Sequence, residues 1–244
     1  MSKNKKPELK DFVYGVHACL ELLTAKRRKV QVVYTQNHEI KAWPKIKKLL
    51  PEYVQVQKVS RDVLESMTGV TEHQGVVMFT QPFPVDKKMF SKDHVQFVLV
   101  LDEIQDVRNL GAILRSAYCT GVQGVVLCQK NAAPLTPTVF KTSAGLAEYL
   151  RIYIAPSMAL AVQELKQAGY NLYCAALGGK NIAEIEYTEP VALMIGNEER
   201  GISPAIQKQG TAIMIPQKRV DVSYNASVAA GILLFSIGNA LKKI

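Results

Sequence analysis

The sequence has 244 residues, 48% of them hydrophobic, which is enough to bury a sizeable core in one large domain or in two smaller ones. No apolar run approaches the roughly 20 residues that cross a bilayer, and the polar first stretch, MSKNKKPELK, has no apolar segment behind it to act as a signal peptide. We therefore expect a cytoplasmic protein with no membrane partner, and the formal net charge of +9 suits a polyanionic one.

The first third of the chain alternates helices and strands. VYGVHACLELLTAK has apolar residues at helical spacing and predicts a helix; strand KVQVVYTQ, helix KAWPKIKKLL, strand VQVQKV, helix SRDVLESMTG and strand QGVVMFTQ follow it. Ser60 is the expected N-cap of the third helix. This alternation predicts a small α/β domain over residues 1–82.

Basic residues concentrate in this predicted domain. Residues 1–90 carry 16 Lys and Arg against 9 Asp and Glu, a net +7, whereas residues 91–244 carry 14 against 12, a net +2. The clusters KRRK at Lys26–Lys29 and KIKK at Lys45–Lys48 would attract a polyanion, although a single cluster is equally often a solvated helix end. Their shared location favours an N-terminal domain that faces nucleic acid.

A break in the pattern follows at QPFPVDKKMFSKDH, where prolines and charged residues accumulate, and we place a linker at residues 83–94. Beyond it the predicted strands are longer and more apolar: FVLVLDEI, GVVLCQ, YLRIYIA, NLYCAAL, VALMIG and AIMIP. Continuous apolar strands are typical of a parallel sheet covered by helices on both faces. Residues 95–244 therefore predict a doubly wound α/β domain, which ends in the apolar helix SVAAGILLFSIGNALKKI.

Several common kinds of site are disfavoured by the motifs that the strand ends lack. The loop after the first strand of the second domain lacks the GxGxxG motif of dinucleotide-binding sites. GGKN at Gly178–Asn181 lacks the first glycine and the Ser or Thr of a phosphate-binding P-loop. The GxSxG motif that carries a nucleophilic serine is not present. All four histidines precede residue 95, which excludes histidine acid–base chemistry in the second domain.

The four cysteines show no metal-binding spacing. Cys19, Cys119, Cys128 and Cys174 are widely scattered and lie in apolar contexts. This predicts buried free thiols in a reducing compartment and no metal site.

Three loops at predicted strand ends concentrate glycine, amide, hydroxyl and charged side chains. In DVRNLGAILRSA, Asn109 stands where an N-cap would and Arg115 lies off the apolar stripe of the helix; alone, a cap and a solvated charge are their commoner roles. IGNEERGIS has two glycines around an Asn-Glu pair, which permits close backbone approach to a ligand but is explained equally by a plain turn. In IPQKRVDVSYNAS, Ser223, Asn225 and Ser227 can all cap one helix, and this surplus indicates a site.

These segments, DVRNLGAILRSA, IGNEERGIS and IPQKRVDVSYNASVAAGILLF, resemble in order and spacing the three signature motifs of the SpoU (TrmH) family of RNA 2′-O-ribose methyltransferases. Upstream, VYGVHACLELL and EHQGVVM are similar to the N-terminal domain of the subgroup that methylates a guanosine in bacterial 23S rRNA. The resemblance implies a SPOUT-type α/β fold: a parallel-sheet domain with a deep trefoil knot, an exception to the rule that chains avoid knots. A small, ribosomal-protein-like α/β domain that binds RNA would precede it.

Position by position, the resemblance implies a catalytic pocket beside a site for S-adenosylmethionine, with no metal. The implied catalytic residues are Asn109, Arg115, Glu198, Ser223 and Asn225. The implied cofactor contacts are Ala176, Gly196, Asn197, Gly201, Ile215 and Tyr224. The AAL loop after strand NLYC would close on the cofactor, and the apolar C-terminal helix is the expected interface of a homodimer.

The sequence departs from the family pattern at two places. Tyr224 stands where leucine is usual, which alters the shape of the pocket, and Lys218 and Arg219 replace small residues and are suited to contact RNA phosphate. The expected function is S-adenosylmethionine-dependent methylation of a ribose 2′-hydroxyl in RNA, with a guanosine of 23S rRNA as the first candidate. The alternatives are a tRNA substrate, or a non-catalytic RNA-binding protein that kept the fold.

Overall fold

The computed structural model describes residues 11–197, 199–219 and 222–244. The chain forms two compact units: the first runs up to Pro84 and also takes in Thr136–Tyr149, and the second consists of Val85–Leu135 and Leu150–Ile244. None of the helices in these described ranges is both long and apolar enough to cross a membrane.

The first unit is built on a four-stranded mixed sheet. Its elements are β1 (Asp11–Tyr14), α1 (Val16–Ala25), β2 (Val30–Gln36), α2 (Trp43–Leu49), β3 (Gln55–Val59), α3 (Arg61–Thr68), β4 (Val76–Thr80) and, much later in the chain, α5 (Pro137–Thr142) and a 3-10 turn at Leu146–Tyr149. The strand order is β1-β4-β2-β3, in which β2 and β3 are parallel and the other neighbours antiparallel. Tyr14, Leu64, Val77 and Phe79 belong to a buried cluster of this unit.

Strand β1 is absent from the sequence-based prediction, which starts a helix at Val13. Val13 and Tyr14 instead pair with β4, and α1 begins only at Val16. Gly15 separates the two elements with a φ of 86°, which glycine adopts without strain. A strand of four residues is too short to show a clear alternation of apolar and polar side chains, and this explains the miss.

The other predicted helices and strands between residues 26 and 81 are confirmed, with small differences in their bounds. Ser60 caps α3 as expected, because its side-chain oxygen accepts a hydrogen bond from the Val63 amide at 3.4 Å. The helix ends at Gly69, whose φ of 68° places it in the left-handed region that commonly terminates helices.

The second unit contains a fully parallel six-stranded sheet. Its elements are β5 (Phe97–Leu101), α4 (Val107–Cys119), β6 (Gly124–Cys128), β7 (Arg151–Ala155), α6 (Met158–Gln167), β8 (Asn171–Asn181), a 3-10 turn at Ile182–Glu184, β9 (Val191–Ile195), α7 (Pro204–Gln207), β10 (Thr211–Met214) and α8 (Ala226–Ala240). The strand order is β10-β8-β9-β5-β6-β7. Every residue of β5, β6 and β9 is buried, as the continuous apolar runs predict. The predicted α/β class is therefore confirmed.

The segment Thr136–Tyr149 differs from the predicted division of the chain. It follows the linker placed at residues 83–94, yet it belongs to the first unit, where the ring of Phe140 lies 5.2 Å from that of Phe83. Glu148 is fully buried there, and Arg28 Nε donates to its two carboxylate oxygens at 3.1 and 3.3 Å. A six-residue helix and a 3-10 turn are too short for apolar periodicity to show which sheet they cover.

Three cysteines are buried free thiols as predicted, but Cys119 is exposed. Burial raises the pKa of the Cys128 thiol to about 12, that of Cys174 to about 11, and also that of Cys19. The prediction for Cys119 was wrong because this residue ends α4 off the buried side of the helix, which runs through Leu110–Ala117.

Candidate active site

A cavity of about 350 Å³ lies in the second unit, where β8, β9, β10 and α8 come together. The residues that line it are 175–177, 195–197, 199–202, 207, 213–215, 217, 223, 224, 226, 229 and 233. Its volume falls within the range of about 300–1,000 Å³ that is typical of small-molecule pockets. The ends of parallel strands are also where ligands bind in open α/β sheets.

Seven of the residues assigned to the site from sequence line this cavity. They are Ala176, Gly196, Asn197, Gly201, Ile215, Ser223 and Tyr224. Asn109, Arg115 and Asn225 do not belong to the lining that the described residues form. Glu198 lies outside the described residues, so its place in the site stays a prediction.

Residues 175–177 reach the cavity because β8 bulges away from β10. Cys174 pairs with Ala212, but the next residue of β10, Ile213, pairs with Lys180, so the intervening residues of β8 loop out. The AAL segment is therefore not a loop after a finished strand, as the sequence predicted. It lies inside β8, which continues to Asn181.

The segment after β9 folds back on itself as a tight turn. The Gly201 amide donates to the Asn197 carbonyl at 2.8 Å, and Asn197 Oδ1 accepts hydrogen bonds from the amides of Glu199 and Arg200 at 2.8 and 3.1 Å. A Cβ at Gly196 would overlap the backbone of Gly201. The glycine at 196 thus permits backbone to approach backbone, in addition to any approach to a ligand.

The segment between β10 and α8 is held by Gln217. Its side-chain nitrogen donates to the carbonyls of Arg219 and Val222 at 2.6 and 2.9 Å. Ser223 and Tyr224 follow and line the cavity, and Tyr224 keeps 44% of its surface exposed. The tyrosine that departs from the family pattern is therefore at the cavity and accessible from outside it.

Asn225 is the one of the three candidate caps that caps α8. Its Oδ1 accepts hydrogen bonds from the amide and the hydroxyl of Ser227 at 2.9 and 2.6 Å. Its Nδ2 donates to Asn109 Oδ1 at 3.4 Å. Two of the residues that the resemblance assigns to catalysis are thus in contact, although they lie 116 positions apart in the chain.

The prediction that Asn109 caps α4 was wrong. Asp106 is the cap, since its Oδ1 accepts a hydrogen bond from the Arg108 amide at 2.7 Å, and Asn109 lies within the first turn. Asp and Asn are equally good caps, so the sequence alone could not place the helix start. Arg115 lies on the exposed side of the same helix, as its position off the apolar stripe indicated.

Several residues that line the cavity were not predicted from sequence, among them Leu177, Gln217, Ala229 and Leu233. A signal for two of them was present, because Ala226, Ala229 and Leu233 have the spacing of one helix face directly after the third motif. Leu177 carries no such signal, since its position depends on the bulge in β8.

The lining combines apolar surface with polar and charged groups. Leu177, Ile215 and Leu233 offer apolar surface, while Glu199 and Ser223 offer an exposed carboxylate and a hydroxyl. S-adenosylmethionine, which the resemblance implies, combines an adenine ring with a charged amino-acid tail. The residues present therefore fit this cofactor.

Family comparison covers both parts of the chain. Residues 96–235 match the model of the SpoU rRNA Methylase family, and residues 12–85 match the model described as RNA 2′-O ribose methyltransferase substrate binding.

Individual relatives match over most of the chain. The 23S rRNA (guanosine-2′-O-)-methyltransferase RlmB of Acinetobacter baylyi is 31% identical, over 94% of this chain and 96% of that protein. An uncharacterized tRNA/rRNA methyltransferase of Synechocystis is 32% identical over 97% of this chain, which spans 64% of that protein's length.

A solved structure shows the same fold. The AdoMet-bound rRNA methyltransferase from Sinorhizobium meliloti superposes with a TM-score of 0.77 at 21% identity, covering 96% of this chain and 87% of that one. The first family model matches more than half of this chain, and residues of the second and third motif segments line the cavity, so the chain belongs to the SpoU rRNA methylase family of RNA methyltransferases.

Proposed function

We propose that this protein transfers a methyl group from S-adenosylmethionine to the ribose 2′-hydroxyl of a guanosine in 23S rRNA. One observation carries the proposal: all six residues to which the resemblance assigns the cofactor line a single ligand-sized cavity. Membership of the SpoU family supports the chemistry, and the RlmB relative supports the substrate.

The protein's own task in this reaction is positioning and charge stabilisation. When bound, S-adenosylmethionine supplies a methyl group already activated by its sulfonium, which keeps the bonding electrons as the methyl leaves. The chain must then hold the hydroxyl oxygen in line with that methyl, so that the O–C bond forms as the C–S bond breaks, while the hydroxyl proton passes to solvent water. We assign the orientation of the ribose to Ser223 and to the hydrogen-bonded pair of Asn109 and Asn225.

We assign to Arg115 the phosphate next to the target ribose and the stabilisation of charge that develops on the attacking oxygen. A guanidinium is very hard to deprotonate in a protein, so this role fits its chemistry better than that of a general base. Its planar group of donors is well suited to bind a phosphate at two points. Its exposed position on α4 leaves it accessible to RNA.

Substitution Arg115→Ala should abolish methylation of 23S rRNA while leaving S-adenosylmethionine affinity, measured by calorimetry, close to that of the wild type. Arg108→Ala is the matched control, because Arg108 is also exposed on α4. Near-normal turnover by the Arg115 variant would refute the assignment. Failure of the wild type itself to bind the cofactor would favour a non-catalytic RNA-binding protein, for which Tyr224 is the best argument.

The choice of 23S rRNA over tRNA is tested by mapping 2′-O-methyl groups in both RNAs from cells that lack the protein. Loss of one methyl group at a guanosine of 23S rRNA is expected. Loss at a tRNA position instead would show that the alternative substrate is correct, since the motifs specify chemistry and not RNA sequence.

We propose that the first unit binds RNA through exposed basic residues. One of its predicted basic clusters, KRRK, is only partly exposed. Within KRRK, Lys26 and Lys29 are exposed, whereas Arg28 is buried against Glu148. Arg27 donates to the Glu148 carbonyl at 3.3 Å and lies over the Phe83 ring at 5.1 Å. Part of this cluster therefore stabilises the unit, and the two lysines remain for a polyanion.

We further propose that the protein is cytoplasmic and forms a homodimer whose interface includes α8. We also propose that the chain forms the family's trefoil knot around β8 and β10. Val228 and Phe235 of α8 are 48% and 60% exposed and lie two helical turns apart on one face. An apolar face of this kind on a helix that otherwise packs in a core favours contact with a second copy.

A further inference from the structure

We propose that a cavity in the first unit binds an unpaired nucleotide of the RNA substrate, with the base against Tyr53 and the phosphate at Lys26 and Lys29. The cavity has a volume of about 290 Å³ and lies where the last turn of α1, the start of β2 and the loop between α2 and β3 meet. The residues that line it are 22, 23, 26–30, 49, 51 and 53. That the ligand is RNA rests on the proposed function, whereas the positive charge and the apolar surface of the cavity do not.

Positive charge at this cavity is not balanced by carboxylates. All four residues of KRRK line it, and no carboxylate of the described residues does. Arg28 is paired with Glu148, and Arg27 donates to the Glu148 carbonyl, so these two guanidinium groups are already engaged. Lys26 and Lys29 are exposed, and neither forms an ion pair with a carboxylate in the part of the chain that the structure describes. The carbonyl ends of α1 and α2 offset only about half a charge each, so an excess of positive charge remains for a phosphate.

Lys26 is held at the cavity by an unusual backbone conformation. It ends α1 with a φ of 53°, and its amide donates to the Leu22 carbonyl at 3.2 Å. Glycine is the usual residue in this left-handed position, because a Cβ there is strained. Residues that their surroundings hold in strained conformations concentrate at binding sites, and here the strain places an ammonium group beside the cavity.

Tyr53 offers an accessible aromatic ring next to the second ammonium group. The residue is 57% exposed, and Lys29 Nζ lies 4.8 Å from the ring centroid. Leu22, Leu23 and Leu49 add apolar surface to the same lining. Proteins that bind single-stranded nucleic acid combine these two elements, since a ring stacks on a base while cations bind the backbone phosphates.

These groups favour an unpaired nucleotide over double-stranded RNA. In a duplex the faces of each base are covered by its neighbours, and the major groove is too deep and narrow for side chains to read. A base in a loop or a bulge can turn out and stack on an aromatic side chain. The volume of about 290 Å³ lies just below the range of about 300–1,000 Å³ for small-molecule pockets, which suits a single base and not a longer segment. An acidic peptide would match the two lysines but would leave the Tyr53 ring without a planar partner.

The test compares a single-stranded RNA oligonucleotide of about 10 nucleotides with the same strand annealed to its complement, by fluorescence anisotropy with the full-length protein. Tyr53→Ala should raise Kd for the single strand about fivefold or more and Kd for the duplex less than about twofold, because stacking needs an exposed base face. Tyr53→Phe keeps the ring and should retain most of the affinity. Val63→Ala is the matched control, because it removes another exposed apolar side chain of the first unit outside the cavity, and it should follow the wild type for both RNAs.

A second pair of variants tests the phosphate contacts. Lys26→Gly/Lys29→Gln removes both ammonium groups from the cavity, whereas Lys45→Gln/Lys48→Gln removes two exposed charges from α2 outside it. The cavity variant should lower the log–log slope of single-strand Kd against salt by about 0.7 for each lost phosphate contact, and by more than the control does. Glycine adopts the φ of Lys26 without strain, so Lys26→Gly alone should weaken RNA binding without lowering Tm.

Equal weakening of single-strand and duplex binding by Tyr53→Ala would overturn the proposal, as would unchanged affinity of that variant or a wild type that does not bind the single strand. A titration with polyglutamate covers the other polyanion. If polyglutamate bound in a Tyr53-dependent way and the single strand did not, the cavity would be a peptide site and the proposal would be wrong. Because these assays measure affinity without turnover, a wild type that bound RNA through Tyr53 but did not methylate 23S rRNA would refute only the proposed function.

Discussion

The Asn225 side chain has both a capping role and a contact with a second site residue, and a sequence pattern cannot distinguish the two. The side chain caps α8 through Oδ1 and contacts Asn109 through Nδ2. The surplus of capping residues indicated that this loop carries a site, and the family resemblance supplied the list of residues. Sequence could not identify Asp106 as the cap of α4, because the choice between two equally good caps depends on where the chain leaves β5.

Asp102, the residue directly after β5, gives a prediction about pH. Its pKa is raised, first by burial and then by the nearby Glu103 carboxylate. The folded state therefore holds the Asp102 proton more tightly than the unfolded chain does, so stability is lost as pH rises from the unfolded pKa through the folded one. Asp102→Asn should raise Tm at about pH 7.5 and do so much less at about pH 4, near the unfolded value.

Thermal unfolding of the wild type and the Asp102 variant at both pH values checks this. Glu186→Gln, which removes an exposed carboxylate of the same unit, serves as the control and should follow the wild type at each pH. A stabilisation by Asp102→Asn that is equal at the two values would contradict the burial argument.

Among the elements, the long strands of the parallel sheet were the easiest to predict and the interruptions of strands the hardest. β5, β6 and β9 are buried on both faces, so their sequences are uniformly apolar. The bulge in β8 has no comparable signature, because AALGG reads equally well as the end of a strand or as a loop. The bulge nevertheless brings residues 175–177 into the cavity.

Helix α8 carries the prediction about assembly. Phe235→Glu places a charge on the exposed apolar face that we propose as the dimer interface, so it should convert the protein to a monomer in light scattering coupled to size exclusion. Leu160→Glu is the matched control, because Leu160 of α6 is 45% exposed and its substitution should leave the mass unchanged. A wild type that is already monomeric would exclude the dimer.

For the whole molecule, the main surprise is that the first unit is completed by Thr136–Tyr149. The two predicted domains were contiguous because composition and the proline-rich break mark only the point where the chain leaves the first sheet. The return of the chain depends on a few buried side chains, chiefly Phe140 and Glu148. Deleting residues 1–90 would strip these side chains of their partners, so point substitutions test RNA binding more cleanly than truncation.

The ion pair of Arg28 with Glu148 joins the distant segment to the first unit, and its loss should be costly. Arg28→Met leaves a buried carboxylate without its cation, which typically lowers the free energy of unfolding by about 3–5 kcal/mol. Lys29→Met, at the adjacent exposed position, should change it by no more than about 0.5 kcal/mol. Urea unfolding measures both, and the double variant Arg28→Met/Glu148→Leu should recover most of the loss. If Arg28→Met behaved like Lys29→Met, the pair would not stabilise the unit.

Because Thr136–Tyr149 is synthesised long after the rest of the first unit, this unit can be completed only late in translation. A ribosome adds about 5–20 residues each second, so residues 11–84 leave the decoding centre several seconds before Tyr149 is added. Throughout that interval Arg28 lacks its carboxylate and the Phe83 ring lacks that of Phe140. The nascent N-terminal unit therefore stays incomplete until the first strands of the parallel sheet have been synthesised. During this interval its unpaired buried groups are accessible to chaperones.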